Sequence, residues 1–309
     1  MYDLIIVGGG AAALSAAVYA FGKQLDTLMI YEKMGGRAGT EQHLREQTTE
    51  EYLAGAEAAE ALARQVSKHS EHTLFDRVTD VAKIAGIFRV TTEQHGVQES
   101  LAVIIATGAT ATPLDAAGAS ELLGQGLGYS ATTHAHIVAG KQVAVVGTTV
   151  RALRGAAELA RNAEQVYLIA PELGELETPL ARALRRYPNV EIIEGYRVKA
   201  VNGPFHVESL VLERGEEHRR LRVSAAFADV GLQPNSAMVR QICQTDLDGF
   251  IWVDQGNATT LTGLFAAGDV TTSFGEQILI AIGDGARAAL SAYDYVLATT
   301  TIPAHAPTD

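Results

Sequence analysis

The N-terminal strand and glycine turn constrain the fold of this chain more than any other feature. An uninterrupted apolar run, Leu4 to Val7, predicts a strand that is buried in a parallel sheet. The run leads into Gly8, and Gly10 and Ala13 complete a Gly-x-Gly-x-x-Ala pattern before an Ala- and Leu-rich segment that predicts a helix. Strand, glycine turn and helix in this order indicate a βαβ unit that binds a dinucleotide at the helix N-terminus.

Each small residue of this turn meets a different steric demand of a bound dinucleotide. Gly8 allows the tight turn, Gly10 lets the backbone approach a pyrophosphate, and Ala13 lets the helix pack closely on the strand. A second predicted strand, residues 27–31, is followed by Glu32, an acid placed to hold a ribose hydroxyl. The signal is therefore stronger than an isolated glycine pattern, because strand, helix, second strand and acid occur in register.

Size and charge restrict the classes of function. The chain has 309 residues, 47% of them hydrophobic, which suffices for one large or two medium domains with a substantial core. A formal net charge of -12 disfavours nucleic acid and anionic membrane surfaces as partners. No apolar run reaches membrane-spanning length, and the N-terminus enters a strand without the basic segment of a signal peptide. We therefore expect a cytoplasmic protein with no nucleic-acid or membrane partner.

The strand–glycine–helix pattern occurs again in the middle of the chain. Residues 142–146 predict a strand that reaches Gly147, and residues 153–162 predict the helix that follows. Two more predicted strands, 165–169 and 190–193, complete a second βαβ unit. This internal duplication predicts an α/β protein that contains two Rossmann-like units.

Two later motifs and a last helix complete the pattern. A predicted buried strand, 102–105, leads into an Ala-Thr-Gly turn at 106–108, and a Phe-Ala-Ala run precedes Gly268 and Asp269. A long helix is predicted at about 276–297. Together with the duplicated unit, these motifs resemble those of the two-dinucleotide-binding-domain flavoproteins. The length and layout resemble the low-molecular-weight thioredoxin reductase group.

This resemblance implies the fold, the cofactor and the domain limits. It implies α/β architecture with two Rossmann-like, FAD/NAD(P)-binding domains of three-layer ββα type, the second inserted into the first, and FAD bound by the first. The FAD-binding domain would be discontinuous, with residues 1–113 and 242–309, and residues 114–241 would form a degenerate NAD(P)H-binding-like domain. The family layout also implies a homodimer through the flavin domain, and an Ala-rich segment at about 54–63 predicts a helix with an apolar exposed face that a second copy covers.

The resemblance also assigns residues to the FAD site. It implies that the pyrophosphate lies on the first glycine turn, that Glu32 binds the adenosine ribose and that Asp269 binds the ribityl chain. The last helix would direct backbone N–H groups at the pyrimidine edge of the flavin, where a helix N-terminus stabilises negative charge on the reduced ring. The residues assigned in this way are Gly8, Gly10, Ala11, Ala13, Glu32, Lys33, Gly36, Arg37, Ala106, Thr107, Gly108, Gly268, Asp269, Glu276, Gln277 and Ile278.

The redox-active Cys-x-x-Cys-Asp motif of thioredoxin reductases is absent from its expected place. Ser130 and Thr133 occupy the cysteine positions, and His134 replaces the acid. Only a thiolate exchanges with a disulfide, and Cys243 is the single cysteine, so we expect no dithiol–disulfide chemistry. His134 is the one catalytic candidate, because an imidazole could pass protons to a reduced flavin or a substrate; a solvent-facing loop histidine is the alternative for it and for His136. No ligand spacing in this stretch suggests a metal site.

The second glycine turn also departs from a working NAD(P)H site. Thr149 replaces the middle glycine of the fingerprint, so that a side chain takes the space of the pyrophosphate. Three acids follow the second strand where NADPH-binding members carry a basic cluster, and they would repel a 2′-phosphate: they are Glu172, Glu175 and Glu177. Glu172 could hold a ribose 2′-hydroxyl, which NADH has and NADPH lacks. The sequence therefore disfavours NADH less than NADPH. Arg151 and Arg154 could hold another anion, but we expect surface arginines on the predicted helix.

Three functions remain open at this point. The first is an FAD-dependent oxidoreductase that uses neither a disulfide nor NADPH and takes electrons from reduced ferredoxin or flavodoxin, or from a small-molecule substrate. The second is a ferredoxin/flavodoxin–NAD(P) reductase of the thioredoxin reductase type, which also lacks the cysteine pair but needs an intact NAD(P)H site. The third is a non-catalytic flavin-binding scaffold or redox sensor. The altered second turn favours the first and the third over the second.

Overall fold

The computed structural model describes residues 1–36, 55–131 and 138–300. They form two compact units, of which the second consists of the described residues between 111 and 232. The remaining described residues, on both sides of this segment in the chain, form the first unit. The domain limits expected from the sequence, residues 1–113 with 242–309 and residues 114–241, remain a prediction.

The described residues form strands and helices that mostly alternate along the chain. In chain order these are β1 (Tyr2–Val7), α1 (Ala11–Gly22), β2 (Thr27–Tyr31), α2 (Ala56–Val66), β3 (Thr73–Phe75), β4 (Val78–Ile84), β5 (Ile87–Thr92), β6 (Gly96–Ile105), β7 (Ala109–Ala111), β8 (Leu127–Gly128), β9 (Gln142–Val146), α3 (Val150–Leu159), β10 (Gln165–Ala170), α4 (Pro179–Leu184), β11 (Val190–Glu194), β12 (Arg197–Asn202), β13 (Ser209–Arg214), β14 (Glu217–Arg222), β15 (Ala225–Ala228), β16 (Leu232–Pro234), β17 (Leu264–Ala266) and α5 (Ile278–Thr299). Within this part of the chain, no helix combines the length and apolar character needed to cross a membrane.

The first unit is built on a mostly parallel sheet. Its strand order is β3-β2-β1-β6-β5-β4, and β17 pairs with the C-terminal part of β6. Only β4 and β5 run antiparallel to their neighbours in this sheet, as far as the described residues show. In β1, Leu4 and Ile6 face the core that holds α1 and α5, whereas Ile5 and Val7 face a second core on the opposite side. Burial on both faces explains why this strand is apolar throughout.

The second unit repeats this layering. Its parallel sheet has the order β11-β10-β9-β15-β8, with α3 and α4 packed on one face. The antiparallel sheet β12-β13-β14 packs on the other face through residues such as Leu210 and Leu212. The predicted fold class, α/β with two Rossmann-like units, is confirmed.

Two helices have other limits than the sequence predicts. α3 begins at Val150 rather than at about residue 153, because Thr149, the residue just before Val150, caps the helix with its side chain. α5 begins at Ile278, so that Glu276 and Gln277 precede it, and it continues to Thr299.

The helix α2 does not offer the apolar face on which a dimer was expected. Ala59 and Val66 are buried in the core of the first unit, and Leu62 packs against that core. The exposed side of this helix is largely polar and includes Glu57, Glu60, Arg64 and Gln65. The expectation of an apolar exposed face was therefore wrong, and the homodimer stays a prediction without this support.

Candidate functional site

The first glycine turn joins β1 to α1 and is held against the end of β6. Gly8 has a φ of 130°, and a Cβ on it would overlap the carbonyl oxygen of Ala106. The Gly8 N–H donates to the Ile30 carbonyl at 2.8 Å, and the Ala106 N–H donates to the Val7 carbonyl at 2.8 Å. Ala13 is fully buried where α1 packs on the sheet. Only glycine fits the position of Gly8, because a side chain would push the turn away from β6.

Gly10 leaves the N-terminus of α1 uncapped by any side chain. It is the N-cap residue, with extended dihedral angles of φ -79° and ψ -178°, and Ala11 is the first helical residue. A Cβ on Gly10 would meet no atom of the described residues within 4 Å. Behind it, a Cβ on Gly36 would lie 2.9 Å from the Gly10 Cα, and the Gly35 N–H donates to the Gly9 carbonyl at 2.8 Å. The turn thus leaves its open side to a ligand that accepts hydrogen bonds from backbone N–H groups.

The turn at Gly268 and Asp269 and the start of α5 lie against the same end of α1. Gly268 has a φ of 74°, and a Cβ on it would approach the Ala12 Cβ to 3.0 Å and the Ala281 Cβ to 3.5 Å. Further along α5, a Cβ on Gly285 would overlap the Ala12 carbonyl. These small residues bring the first turns of α1 and α5 together beside Asp269.

The N-terminus of α5 is likewise uncapped by a side chain. Gln277 is the N-cap residue, and its carbonyl accepts from the Ala281 N–H at 2.9 Å. Glu276 is exposed just before it, and Ile278 is the first helical residue. Two helix N-termini therefore converge at this point, and each favours a negatively charged group in front of it.

Glu32 follows β2 directly and forms an ion pair with Arg77. Its Oε2 atom accepts hydrogen bonds from Nε and Nη2 of Arg77 at 2.9 and 2.7 Å. Both side chains are more than half exposed, so the pair orients the carboxylate without adding much stability. Lys33 is exposed, and its carbonyl oxygen would overlap a Cβ on Gly9. The acid and the glycine turn are thus close in the structure, and the ribose-binding role of Glu32 stays a prediction.

A buried carboxylate, which the sequence did not reveal, orders the backbone next to Arg77. The Oδ1 atom of Asp76 accepts from the Arg77 N–H at 2.7 Å, and Oδ2 accepts from the N–H groups of Gln94 and His95 and lies 2.7 Å from Nδ1 of His95. Burial raises the pKa of Asp76, but its hydrogen bonds, above all that of His95, lower the pKa more and hold it well below its usual range.

Asn235 is a second residue that the sequence did not reveal. Its Nδ2 donates to the Thr107 carbonyl at 3.0 Å, and its N–H donates to the Gly108 carbonyl at 2.9 Å. The hydroxyls of Thr107 and Thr110 donate to the carbonyl and Oδ1 of Asn235 at 2.6 and 3.0 Å. The Ala106–Gly108 turn is thus held by Asn235 as well as by Gly8. Asn235 belongs to a short Pro-Asn-Ser cluster, which is typical of loops and could have drawn attention to this position.

The second glycine turn has the same backbone arrangement as the first. Gly147 has a φ of 132°, and a Cβ on it would overlap the carbonyl oxygen of Asp229. The Gly147 N–H donates to the Ile169 carbonyl at 3.0 Å, and the Asp229 N–H donates to the Val146 carbonyl at 2.7 Å. Asp229 therefore occupies in the second unit the place that Ala106 occupies in the first.

The side chains of the second turn close the end of α3. The Thr149 hydroxyl accepts from a backbone N–H in the first turn of α3 at 3.0 Å, and Nε of Arg151 donates to both carboxylate oxygens of Asp229 at 2.7 and 2.8 Å. The side chains of Arg151 and Asp229 are only 16% and 2% exposed. The expectation that Arg151 lies at the surface was wrong, because buried Asp229 supplies its counter-charge. Arg154 is half-buried. The internal duplication, which aligns Asp229 with Ala106, could have indicated that Asp229 lies at the second turn, although not that it pairs with Arg151.

The loop after β10 also differs from its counterpart after β2. β9 and β10 have the register of β1 and β2, so Pro171 takes the place of Glu32 and Glu172 lies one residue further along. A Cβ on Gly174 would overlap the hydroxyl of Thr148, which brings this loop onto the second turn. The acids of the loop are all exposed: Glu172, Glu175 and Glu177.

The stretch that aligns with the redox-active motif is described only in part. Thr133, His134 and His136 lie outside the described residues, as does Arg37, and the roles predicted for them stay predictions. Ser130 is described and half-buried. Among the described residues, no group of three or more His, Cys, Asp or Glu side chains is placed to hold a metal ion.

Comparison with known proteins agrees with the duplicated architecture. Residues 2–285 match the sequence family of pyridine nucleotide-disulphide oxidoreductases. The chain belongs to this family. The matched span contains both glycine turns and the Gly268–Asp269 turn, so the family assignment covers both units. Its members are FAD-binding flavoproteins, and FAD is the cofactor of this chain.

Similar proteins include a component of a hydroperoxide reductase and two thioredoxin reductases. The F component of the alkyl hydroperoxide reductase of Staphylococcus aureus (strain Mu50 / ATCC 700699) is 34% identical over 302 residues, which are 96% of this chain and 59% of that protein. Thioredoxin reductase from Streptococcus pyogenes MGAS5005 matches with a TM-score of 0.83, 26% identity and coverage of 96% of this chain and 99% of that chain. Thioredoxin reductase from Giardia duodenalis matches with a TM-score of 0.81, 25% identity and the same coverage. The chain thus spans 59% of the length of the hydroperoxide reductase component.

The residues of the first unit fit FAD. The N-terminus of α1 lacks a side-chain cap, and Gly10 carries no Cβ that would oppose a pyrophosphate. The N-terminus of α5 lies beside Asp269, whose carboxylate is a hydrogen-bond acceptor for hydroxyl groups. The assignment of individual residues to parts of FAD stays a prediction.

Proposed function

We propose that this protein is an FAD-dependent oxidoreductase without a redox-active disulfide, and that its electrons come from a donor other than NADPH or NADH. The donor would be a small redox protein such as ferredoxin or flavodoxin, or a small-molecule substrate. Bound FAD supplies electron or hydride transfer, and the protein supplies binding, orientation and the electrostatic environment. The first unit keeps the features that bind FAD, and the second has lost those that bind a nicotinamide dinucleotide.

The Arg151–Asp229 ion pair beside the capped N-terminus of α3 carries this proposal. A pyrophosphate at this helix end would have to displace the hydroxyl of Thr149 and lie near the carboxylate of Asp229. A phosphate placed against this carboxylate brings like charges together, which costs several kcal/mol. Since 1.4 kcal/mol is a factor of ten in affinity, a cost of about 3 kcal/mol would weaken dinucleotide binding by roughly two orders of magnitude.

The ribose side of the second unit supports the same conclusion. Pro171 has no carboxylate to bind a ribose hydroxyl, although it stands in the register position of Glu32. Glu175 and Glu177 would oppose a 2′-phosphate. The first of these differences weakens binding of NADH as well as NADPH, so neither dinucleotide is favoured.

The chemistry of the remaining thiol supports the absence of disulfide exchange. Cys243 is the only cysteine of the chain, and burial raises its pKa to about 11. Its Sγ donates to the Val239 carbonyl at 3.4 Å. At neutral pH this thiol is protonated, and a protonated thiol neither attacks a disulfide nor leaves from one. Proton transfer at the flavin would instead depend on a group such as His134, as predicted from the sequence.

Two other functions are less consistent with the geometry. A ferredoxin/flavodoxin–NAD(P) reductase needs a second turn that accepts a pyrophosphate, and Thr149, Arg151 and Asp229 oppose it there. A non-catalytic flavin scaffold or redox sensor needs only the first unit, and it is distinguished by the absence of turnover with every donor and acceptor. A homodimer and a cytoplasmic location also belong to this proposal.

Anaerobic reduction of the flavin tests the proposal. The purified protein, in its yellow oxidised form, is mixed with NADPH or NADH, and the flavin absorbance is followed over time. The dinucleotide concentration is roughly 0.1–1 mM, the upper range of common KM values. We expect negligible bleaching with both dinucleotides and complete bleaching with dithionite, which needs no binding site. Rapid bleaching by NADPH would overturn the proposal and favour the ferredoxin/flavodoxin–NAD(P) reductase. A protein that cannot be loaded with FAD would contradict the cofactor assignment itself.

A further inference from the structure

The buried carboxylate of Asp284 takes no part in the contacts described above. It lies on α5, where its side chain is only 6% exposed. Its Oδ1 atom faces Nη1 of Arg287 at 3.3 Å, and its Oδ2 atom has no hydrogen-bond partner among the described residues. A buried carboxylate oxygen without a partner is costly, and native proteins contain few such groups.

Asp284 shares a small pocket with Asp269. The pocket is formed by the Gly268–Asp269 turn, the residues that follow it and the first two turns of α5. Ala281, which faces the same pocket, contacts Gly268 and thereby the end of α1. Asp284 thus lies behind the part of the first unit in which two helix N-termini converge, about 9 Å along the helix axis from Ile278 at 1.5 Å per residue.

We propose that Asp284 tunes the redox potential of the flavin by opposing, with its buried negative charge, the positive end of α5. The inference deepens the proposed function and depends on FAD lying at this helix end. The N-terminus of α5 stabilises the extra negative charge of a reduced ring. A buried negative charge on the same helix destabilises that charge, which makes the reduced flavin a stronger reductant.

The charge of Arg287 does not cancel this effect. Its side chain is 53% exposed, so solvent and salt screen the guanidinium much more than they screen the buried carboxylate. The same Nη1 atom also donates to Oδ1 of Asn257 at 3.2 Å, which holds the guanidinium away from an ideal pair with Asp284. Within this pair Asp284 therefore contributes more to the field in the pocket, which Asp269 and Glu276 also line. Asp284 acts through its electrostatic field and need not touch the substrate.

The midpoint potential of the bound flavin tests this inference. It is measured during slow anaerobic reduction in the presence of a reference dye, so that neither the natural donor nor turnover is needed. Asp284→Asn keeps the shape of the side chain and removes its charge, and we expect a shift to a more positive potential than in the parent protein. Arg287→Gln removes the opposing charge, and we expect a smaller shift to a more negative potential.

Asp294→Asn is the matched control, because Asp294 is an exposed carboxylate near the far end of the same helix. Its flavin potential should equal that of the parent protein. An Asp284→Asn potential that does not differ from that of this control would overturn the inference and leave the proposed function intact. If Asp284→Asn purifies without flavin, the midpoint potential is measured in Asp284→Ser and in Arg287→Gln instead. Flavin potentials in both variants that equal that of Asp294→Asn would again overturn the inference. Bleaching by NADPH concerns only the proposed function, so the two failures are distinguishable.

Discussion

The two glycine turns of this protein share one backbone and differ in their side chains. Gly8 and Gly147 have φ angles of 130° and 132°, and each lies against the carbonyl of the residue that follows a neighbouring parallel strand. In the first unit that residue is Ala106, and the N-cap of the helix is Gly10. In the second unit the corresponding residues are Asp229 and Thr149.

The difference teaches that two glycine turns with the same backbone can present different side chains to a ligand. Backbone geometry at Gly147 still serves the packing of β9, α3 and β15. Asp229 pairs with Arg151, and the hydroxyl of Thr149 accepts from a backbone N–H of α3 that a phosphate could otherwise bind. The activity therefore has to be inferred from the side chains at each turn, and the shared fold is not sufficient evidence.

The largest expected effect comes from placing the same side chain in each turn. Gly10→Val puts a branched group on the open side of the first turn, and we expect FAD affinity to fall on the order of 100-fold or more, about 3 kcal/mol. The matched variant, Thr149→Val, should keep FAD and lose only the helix cap, about 1 kcal/mol of stability. The ratio of flavin to protein absorbance after purification measures the difference. Equal flavin content in both variants would contradict the assignment of the first turn to FAD.

The second prediction concerns the ion pair that distinguishes the two turns. Arg151→Ala removes the guanidinium that pairs with the buried carboxylate of Asp229, and we expect the free energy of unfolding to fall by up to about 3–5 kcal/mol. Removal of both side chains, in Arg151→Ala with Asp229→Ala, should cost less than the single change. Chemical denaturation followed by circular dichroism measures the three proteins. Additive losses would show that the two side chains do not stabilise each other.

The third prediction concerns Asp76, a buried carboxylate of the first unit, which differs from Asp229 of the second unit in its partners. Asp76 is held mainly by N–H donors and His95 rather than by a guanidinium, and its pKa in the folded protein lies below that of the unfolded chain, about 4. Its contribution to stability is therefore complete above about pH 4 and is lost as the pH falls further. We expect Asp76→Asn to be less stable than the parent protein at pH 7, and the difference to narrow below pH 4. A difference that stays constant with pH would refute this assignment.

The smallest effect is expected at Cys243. Because burial raises its pKa to about 11, the thiol should react slowly with a disulfide reagent at pH 8, and more rapidly as the pH increases. Cys243→Ala should leave the flavin spectrum and its reduction by dithionite unchanged. Reagent kinetics and the absorbance spectrum provide the measurements. Loss of activity with the natural donor in this variant would contradict the account, because it would show that the Cys243 thiol takes part in the reaction.

The sequence predicted the fold because the relevant signals are local. The apolar run of β1 and the glycines that follow it specify a buried strand and a tight turn without reference to distant residues. The repeat of that signal predicted the second unit. α3 begins earlier than expected because the hydroxyl of Thr149 caps its N-terminus, a role that the same residue type can have wherever a helix begins.

The sequence did not predict the contacts that close the second turn. Arg151 and Asp229 are far apart in the chain, and a single sequence gives no sign that a helix arginine and a strand-end carboxylate meet. Asn235 and Asp76 were missed for the same reason, since their partners lie on other segments. Asp284 was overlooked because a carboxylate in a helix is usually exposed. Long-range pairing of polar side chains was therefore the part of the site that required coordinates.

Equilibrium binding of NADPH to the oxidised protein, followed by titration calorimetry, tests the closed second turn most directly. We predict no detectable binding to the parent protein at sub-millimolar NADPH. We also predict measurable binding, at least about tenfold tighter, to a variant that carries Thr149→Gly, Arg151→Ala and Asp229→Ala, which copies the residues of the first turn. Micromolar binding by the parent protein would contradict the closure of this turn, because it would mean that the Arg151–Asp229 pair and the Thr149 cap do not exclude the dinucleotide.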